Sequence, residues 1–288
     1  MACARQRRAK VRGQRLACAV PILAAALLVG CSSTGSGGTG DPASPPNPSK
    51  LGDGARLTEL LGPATWFDAA DKYSDTCASP LDYTTNVTGV TIVAIDRFDE
   101  SGSGANGNFY VQDTNPNAPA FSGITVFAPS FSPPDLRLTE GDVADVSGVL
   151  QEFLGPSNSP FGYCKTLPEI GGTMTFRFEA GPLLPKTIAL DDLKSYPTSR
   201  QWLGMLVRVE GVRIAHPPDE SGGRFTADID VGGGLSQTDV PKISNELYNL
   251  KSQGPALTQG STFRAVTGVL TYFYGFKISP RSPNDFDP

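Results

Sequence analysis

The stretch GNFYVQDTNPNAPAFSGITVFAP, residues 107–129, decides how this chain is read. It carries two short strand patterns, FYVQ at 109–112 and ITVF at 124–127. Neighbouring residues on a strand point to opposite faces, so Phe109 and Val111 share one side, as do Ile124 and Val126. Between the two patterns, Asn115-Pro116-Asn117 and Ser122-Gly123 are turn chemistry. The stretch reads as a hairpin, and strand patterns with similar punctuation lie on either side of it.

On the N-terminal side, VTGVTIVAI at 87–95 reads as a strand with Gly89 inside it, and residues 96–106 form a polar, Gly-rich loop. A short helix is expected at 57–61. On the C-terminal side, VADVSGVLQEF at 143–153 is a strand containing Gly148, residues 155–168 are a long loop, and 174–179 is a last strand. Glycine inside a strand marks a bulge or bend. Five strands with a bent first one can close into the five-stranded Greek-key barrel of the OB-fold.

A second set follows the linker-like residues 182–185. Its strands are LGMLVRVEGVRI at 203–214, residues 224–229, FRAVTGVLT at 263–271 and residues 276–280, with a short helix expected at 243–250. VSGVL and VTGVL, each after a Gly-containing turn, argue for a diverged tandem repeat. A length of 288 residues has room for two domains, and Gly 32, Pro 25 and only 18% charged residues suit many short strands joined by turns. The predicted class is all-β: two tandem five-stranded OB-like Greek-key barrels, at 56–188 and 189–288.

The first 30 residues stand outside this pattern. Arg5, Arg7, Arg8, Lys10, Arg12 and Arg15 precede a short apolar run at 16–29, the layout of a secretory signal. The run ends in Leu28-Val29-Gly30-Cys31, which resembles the lipobox of bacterial lipoproteins. The resemblance implies cleavage before Cys31, a lipid on that cysteine, and membrane attachment through it. Ser32 in place of Asp then implies sorting to the outer membrane. Residues 31–55 open on a Ser-, Gly- and Pro-rich tether that cannot bury a core.

Losing residues 1–30 removes six of 24 basic residues, leaving 24 − 6 = 18 against 29 acidic ones, a mature net charge of −11. Such a surface repels phosphate backbones and counts against duplex DNA as a partner. Cys77 and Cys164 are the cysteines that remain beside Cys31, and in an exported protein they most simply pair. Two free buried thiols are the alternative.

As a whole, residues 83–288 resemble the OB-fold segments that accompany secreted nucleases of the endonuclease/exonuclease/phosphatase type. The resemblance lies in NVTGVTIVAI, the 107–129 hairpin, EGDVADVSGVLQEF, LPKTIALDDL, LGMLVRVEGVRI and VTGVLTYFYGFKISPRSPNDF. In those nucleases a catalytic domain follows, and no counterpart of it is read here. The resemblance implies a fold and not an activity.

Catalysis is not expected. The single histidine, His216, sits in a loop beside two prolines, and no serine lies in a nucleophile context. No cofactor is expected. Asp113, Asn115 and Asn117 match the first half of a calcium loop, but Ala118 and Ile124 stand where Gly and Glu are needed, so the segment reads as a turn. The binding candidate is the C-terminal hairpin, where Tyr272, Tyr274, Phe276, Lys277 and Arg281 set rings beside cations. The alternative is that these rings pack the core. The expected role is a membrane-anchored binding or interaction module of the cell envelope, for a glycan, single-stranded nucleic acid or protein partner. The second reading is an envelope structural protein with no small ligand, and a cryptic metal-dependent hydrolase comes last.

Replacing Cys31 with Ser is expected to leave the precursor unlipidated and to release the protein from membranes. Cell fractionation with lipid labelling checks this, and a variant that still takes up label contradicts it.

Overall fold

The computed structural model describes residues 54–62, 83–102, 107–132, 138–162 and 165–288. Cys31, Cys77, Cys164, the signal and residues 31–53 lie outside these residues, so the lipidation and disulfide expectations carry no structural account; the end of the expected tether is ordered instead, since Ala55 bridges Val87 and donates to the Asn86 carbonyl at 2.9 Å. The described residues are mostly β, with two sheets and three short helices among them, as the all-β reading expects. No helix among the described residues is long and apolar enough to cross a membrane.

The first sheet contains β1 (Tyr83–Ile95), β2 (Phe109–Asp113), β3 (Gly123–Ser132), β4 (Asp142–Phe153) and β5 (Leu167–Ala180). Their pairing order is β1-β2-β3-β5-β4, and β4 pairs back onto β1, so the hydrogen-bonded order closes on itself. All pairs are antiparallel except β3 with β5. The 107–129 hairpin forms as expected, and the structure sets its register, with Phe109 opposite Val126 and Val111 opposite Ile124. Gly89 has a φ of 63° and sits where the β1–β4 register shifts between Val87 and Val90, so it makes the anticipated bulge. Gly148 differs from expectation. It pairs in register with Gly172, and the shift in that ladder lies between Asp142 and Ala144. A side chain at Gly148 would come within 2.0 Å of the Gly171 carbonyl oxygen, so tight strand packing explains this glycine and no bend is needed.

β5 begins at Leu167, well before the expected strand. Its first half is buried and its second half more open. Val87, Val90, Ile92, Val111, Ile124, Val126, Val146 and Ile170 fill the interior, capped by Leu57 and Leu61 of the expected short helix Leu57–Leu61.

The second sheet holds β6 (Lys186–Ile188), β7 (Leu206–Arg213), β8 (Asp219–Ser221), β9 (Arg224–Asp228), β10 (Lys242–Ser244), β11 (Thr262–Tyr272), β12 (Phe276–Ser279) and β13 (Phe286–Asp287). It has eight strands where five were expected. Residues 243–250 do not form the expected helix. Lys242–Ser244 is a strand, and helix occurs only at Leu250–Gln253, capped by the Asn249 side chain. The physical reason is that Ile243 is fully buried between two paired strands, where extended backbone satisfies its hydrogen bonds and outweighs local helix propensity. With β10 in place, the pairing pattern of the first sheet recurs. β7 meets β9 through an Ile214–Ile229 bridge, β9 pairs β10, β10 pairs β12 in parallel, β12 pairs β11, and β11 pairs β7. The short β6, β8 and β13 are additions to this circuit. β6 pairs with β7, so the second sheet starts before the expected boundary at 189.

The sheets belong to one unit and share a small apolar cluster of Val93, Ala94, Tyr110, Leu206, Leu247 and Val269. The segment joining them is held by a buried ion pair. Arg200, at the end of the helix Tyr196–Arg200, donates to Glu152 of β4 through Nη2 at 2.5 Å and Nη1 at 3.3 Å. Nη1 also donates to Thr166 Oγ1 at 2.9 Å. Removing one member of such a pair leaves a buried charge uncompensated, at about 3–5 kcal/mol. Arg200→Met is expected to destabilise the protein by about that much, and Arg200→Met with Glu152→Leu to recover most of the loss, because the double variant buries no lone charge. Denaturant melts of the wild type, the single and the double variant check this.

Candidate functional site

The C-terminal hairpin does not present its rings as one exposed face. Tyr272, at the end of β11, is only 4% exposed. It packs edge-on against Phe161 and Tyr196, with Phe276 beside it at 5.0 Å between ring centres. Phe276 is equally buried. The reason is Phe161, from the loop after β4, whose ring gathers Tyr272, Phe273 and Tyr274 around itself. Tyr274 is 39% exposed, has a φ of 54°, and its hydroxyl donates to the Ser159 carbonyl. Arg281 serves a different place. It binds the Asp285 carboxylate, the Val93 carbonyl at 3.3 Å and Glu140 at 3.5 Å, fastening the C-terminal segment to the first sheet. Of the five residues named from sequence, Tyr272 and Phe276 are therefore core and Arg281 is a tie between the sheets.

Lys277 leads to a site that sequence reading missed. Its side chain is buried and faces a cleft of about 360 Å³ between the two sheets. This volume falls in the range of small-ligand sites. The first sheet supplies Tyr110 from β2, Thr125 and Phe127 from β3, Gln151 and Phe153 from β4 and Glu169 from β5, with Asp96 and Glu100 from the segment after β1. The second sheet supplies Arg224, Thr271, Lys277 and an edge of the otherwise buried Tyr272, with Glu246 from the segment after β10 and Phe273 from the turn after β11.

Polar order in the cleft centres on Glu246. Its Oε1 accepts from the Tyr110 hydroxyl at 3.3 Å, and its Oε2 from Thr271 and Ser279 at 2.8 Å each. Glu100 pairs with Arg224 Nε at 3.4 Å, and Arg224 and Lys277 both sit over the Phe273 ring, at 4.6 and 5.2 Å. The Gln151 amide donates to Glu169. Two atoms stand apart. Asp96 Oδ1 and Thr125 Oγ1 are buried without a hydrogen-bond partner, although both residues line the cleft. A buried polar atom left unpaired costs about 1–3 kcal/mol, so each calls for an explanation.

Burial dominates the electrostatics. It raises the Asp96 carboxyl to about 7, with the Glu246 and Glu100 charges adding to the rise. Burial also raises Glu100 and Glu169. It lowers Lys277, against the opposing pull of Glu246.

Elsewhere the molecule offers less. Asn115 Oδ1 accepts from Asn117 N at 3.0 Å, the self-capped turn expected there, and Asp113 Oδ1 accepts from Leu57 N at the start of the first helix. His216 lies 3.2 Å from Asp228 with most of its ring in solvent. Among the described residues, no three His, Cys, Asp or Glu side chains are grouped to hold a metal ion. A second hollow of about 260 Å³ lies by Tyr196, Lys165 and Asp239, where Lys165 and Asp239 already pair. In comparisons with known proteins, no family model matches the chain and no curated protein matches it.

The raised Asp96 carboxyl has a consequence for stability. Between the ordinary carboxylate range near pH 4 and about pH 7, the folded protein holds a proton here that the unfolded chain has lost. Stability therefore falls as pH rises through that window. Glu246, Glu100 and Asp99 face Asp96 with like charge, while Arg224 and Lys277 lie in the same cleft with opposite charge. Asp96→Asn is expected to raise Tm at pH 8 by several degrees and to change it little at pH 5. Thermal melts of both proteins across this range check it, and parallel curves contradict it.

Proposed function

We propose that this chain is a lipid-anchored, non-catalytic binding module of the bacterial cell envelope, and that the cleft between its two sheets is the ligand site. The observation that carries the reading is the pair of buried, partnerless atoms, Asp96 Oδ1 and Thr125 Oγ1, in a cleft walled by aromatic rings and charged groups. A concave apolar site with a few convergent polar groups and perturbed acids is the usual form of a binding site. The fold half of the proposal is that each sheet is a variant of the OB-fold. In its support, the first sheet closes in the order β1-β2-β3-β5-β4, and the second repeats those pairings with one bridge in place of a full ladder. Membrane anchoring rests on the lipobox at Cys31.

The second reading, an envelope structural protein, takes its support from Tyr272 and Phe276. Their burial takes these two rings out of any exposed ligand face.

A ligand at a hundred times its Kd stabilises the folded state by about 2.7 kcal/mol. In a domain of this size that is a rise in Tm of roughly 5–10 °C. The protein is expected to show such a rise with a member of one ligand class in a thermal screen of glycans, single-stranded oligonucleotides and peptides. Asn108 also lines the cleft, and Asn108→Trp, which sets a large ring in its wall, is expected to melt near the wild type and to lose the rise. A rise that persists in Asn108→Trp, or no rise with any class, moves the structural reading ahead.

A further inference from the structure

The walls of the cleft carry enough chemistry to name a class of ligand, on the reading above that the cleft is a binding site. The charges in it offset one another. Glu100 faces Arg224, and Glu246, already receiving three hydroxyls, acts on Lys277. An incoming anion meets Glu100, Glu169 and Glu246, and an incoming cation meets Arg224 and Lys277. Either must displace an existing pairing, whereas an uncharged ligand disturbs none.

An uncharged ligand that is wholly apolar fails on a different ground, since it leaves Asp96 Oδ1 and Thr125 Oγ1 unpaired. The ligand must therefore bring hydroxyl or amide groups for these atoms. It must also bring an apolar face, because Phe127, Phe153 and Phe273 form much of the remaining wall. Phe127 is 50% exposed, an aromatic ring of a core-facing strand pair held half open to solvent at the cleft. A pyranose ring combines the two requirements, with a face of C–H groups and a rim of hydroxyls.

We infer that the cleft takes a segment of neutral glycan, with a sugar ring laid on Phe127 and its hydroxyls met by Asp96 and Thr125. Nucleic acid is disfavoured because its phosphates would run past Glu100, Glu169 and Glu246 on a chain that is acidic as a whole. The carboxyl of Asp96, with its proton held near neutral pH, both donates and accepts, which suits hydroxyl partners.

The test uses the purified full-length protein in a detergent that contains no sugar. Calorimetric titrations use glucose, mannose and N-acetylglucosamine hexasaccharides, a single-stranded oligothymidylate and spermine. Saturable binding of at least one neutral hexasaccharide is expected, with an affinity that does not change between low and high salt. Phe127→Ala is expected to weaken it about fivefold or more. Asp96→Leu should weaken it about tenfold or more, and Asp96→Asn, which keeps the hydrogen bonding without the charge, should restore it to within a few-fold. If Asp96→Leu does not fold, Phe127→Ala decides, since a half-exposed ring is dispensable for folding. Salt-sensitive binding of the oligonucleotide or spermine alone, lost in Phe127→Ala, overturns the glycan assignment and leaves the cleft as the site. No binding of any probe, or binding indifferent to Phe127→Ala, overturns both.

Discussion

The cleft depends on one close approach of two backbones. A side chain at Gly123, at the start of β3, would lie 2.5 Å from the Met205 nitrogen, and one at Gly204 would lie 2.4 Å from the Ile124 nitrogen. Gly204 also has a φ of 74°, which residues with a Cβ rarely adopt. Two glycines therefore let the lead-in to β7 rest directly against β3. Hydrogen bonds lock the contact, from Phe121 N to the Gln201 carbonyl at 2.7 Å and from Leu206 N to Gln112 Oε1 at 3.1 Å. Gln112 is a buried side chain that serves as a strand partner for the other sheet.

From that contact the rest of the junction follows. Beside it, Val93, Ala94, Tyr110, Leu206, Leu247 and Val269 close a dry cluster. Tyr110 has its ring in the cluster and its hydroxyl on Glu246, so one residue is both seal and lining. On one flank the Arg200–Glu152 pair anchors the connection between the sheets, and on the other Arg281 reaches back to Val93 and Glu140. With both flanks tied, the two sheets face each other across a gap that side chains do not fill, and polar groups from both end up out of water.

That geometry explains the cleft's electrostatics. Asp96 and Glu100 lie within one loop and Glu246 is remote in sequence, and each would be an ordinary surface acid on an isolated sheet. Burial at the junction raises Asp96 and Glu100, the nearby Glu246 charge adds to both rises, and Arg224 offsets part of the effect at Glu100.

Strand identity was legible in the sequence because alternation and turn residues act locally. The hairpin at 107–129, the bulge at Gly89 and the turn at Asn115–Asn117 follow from residues within a few positions of one another. Tertiary structure decided what depends on distant partners. Ile243 became a strand because two neighbours offered hydrogen bonds, and Gly148 proved to be a packing glycine because the Gly171 carbonyl lies against it. Tyr272 and Phe276 went into the core because Phe161, more than a hundred residues earlier, is there to receive them, although spacing alone made them resemble a binding face. The cleft was invisible in the sequence, since its acids are scattered from Asp96 to Glu246 and only the contact at Gly123 and Gly204 gives them a common wall. Local patterning sets which residues are extended, and burial against remote chain sets which of them become a site.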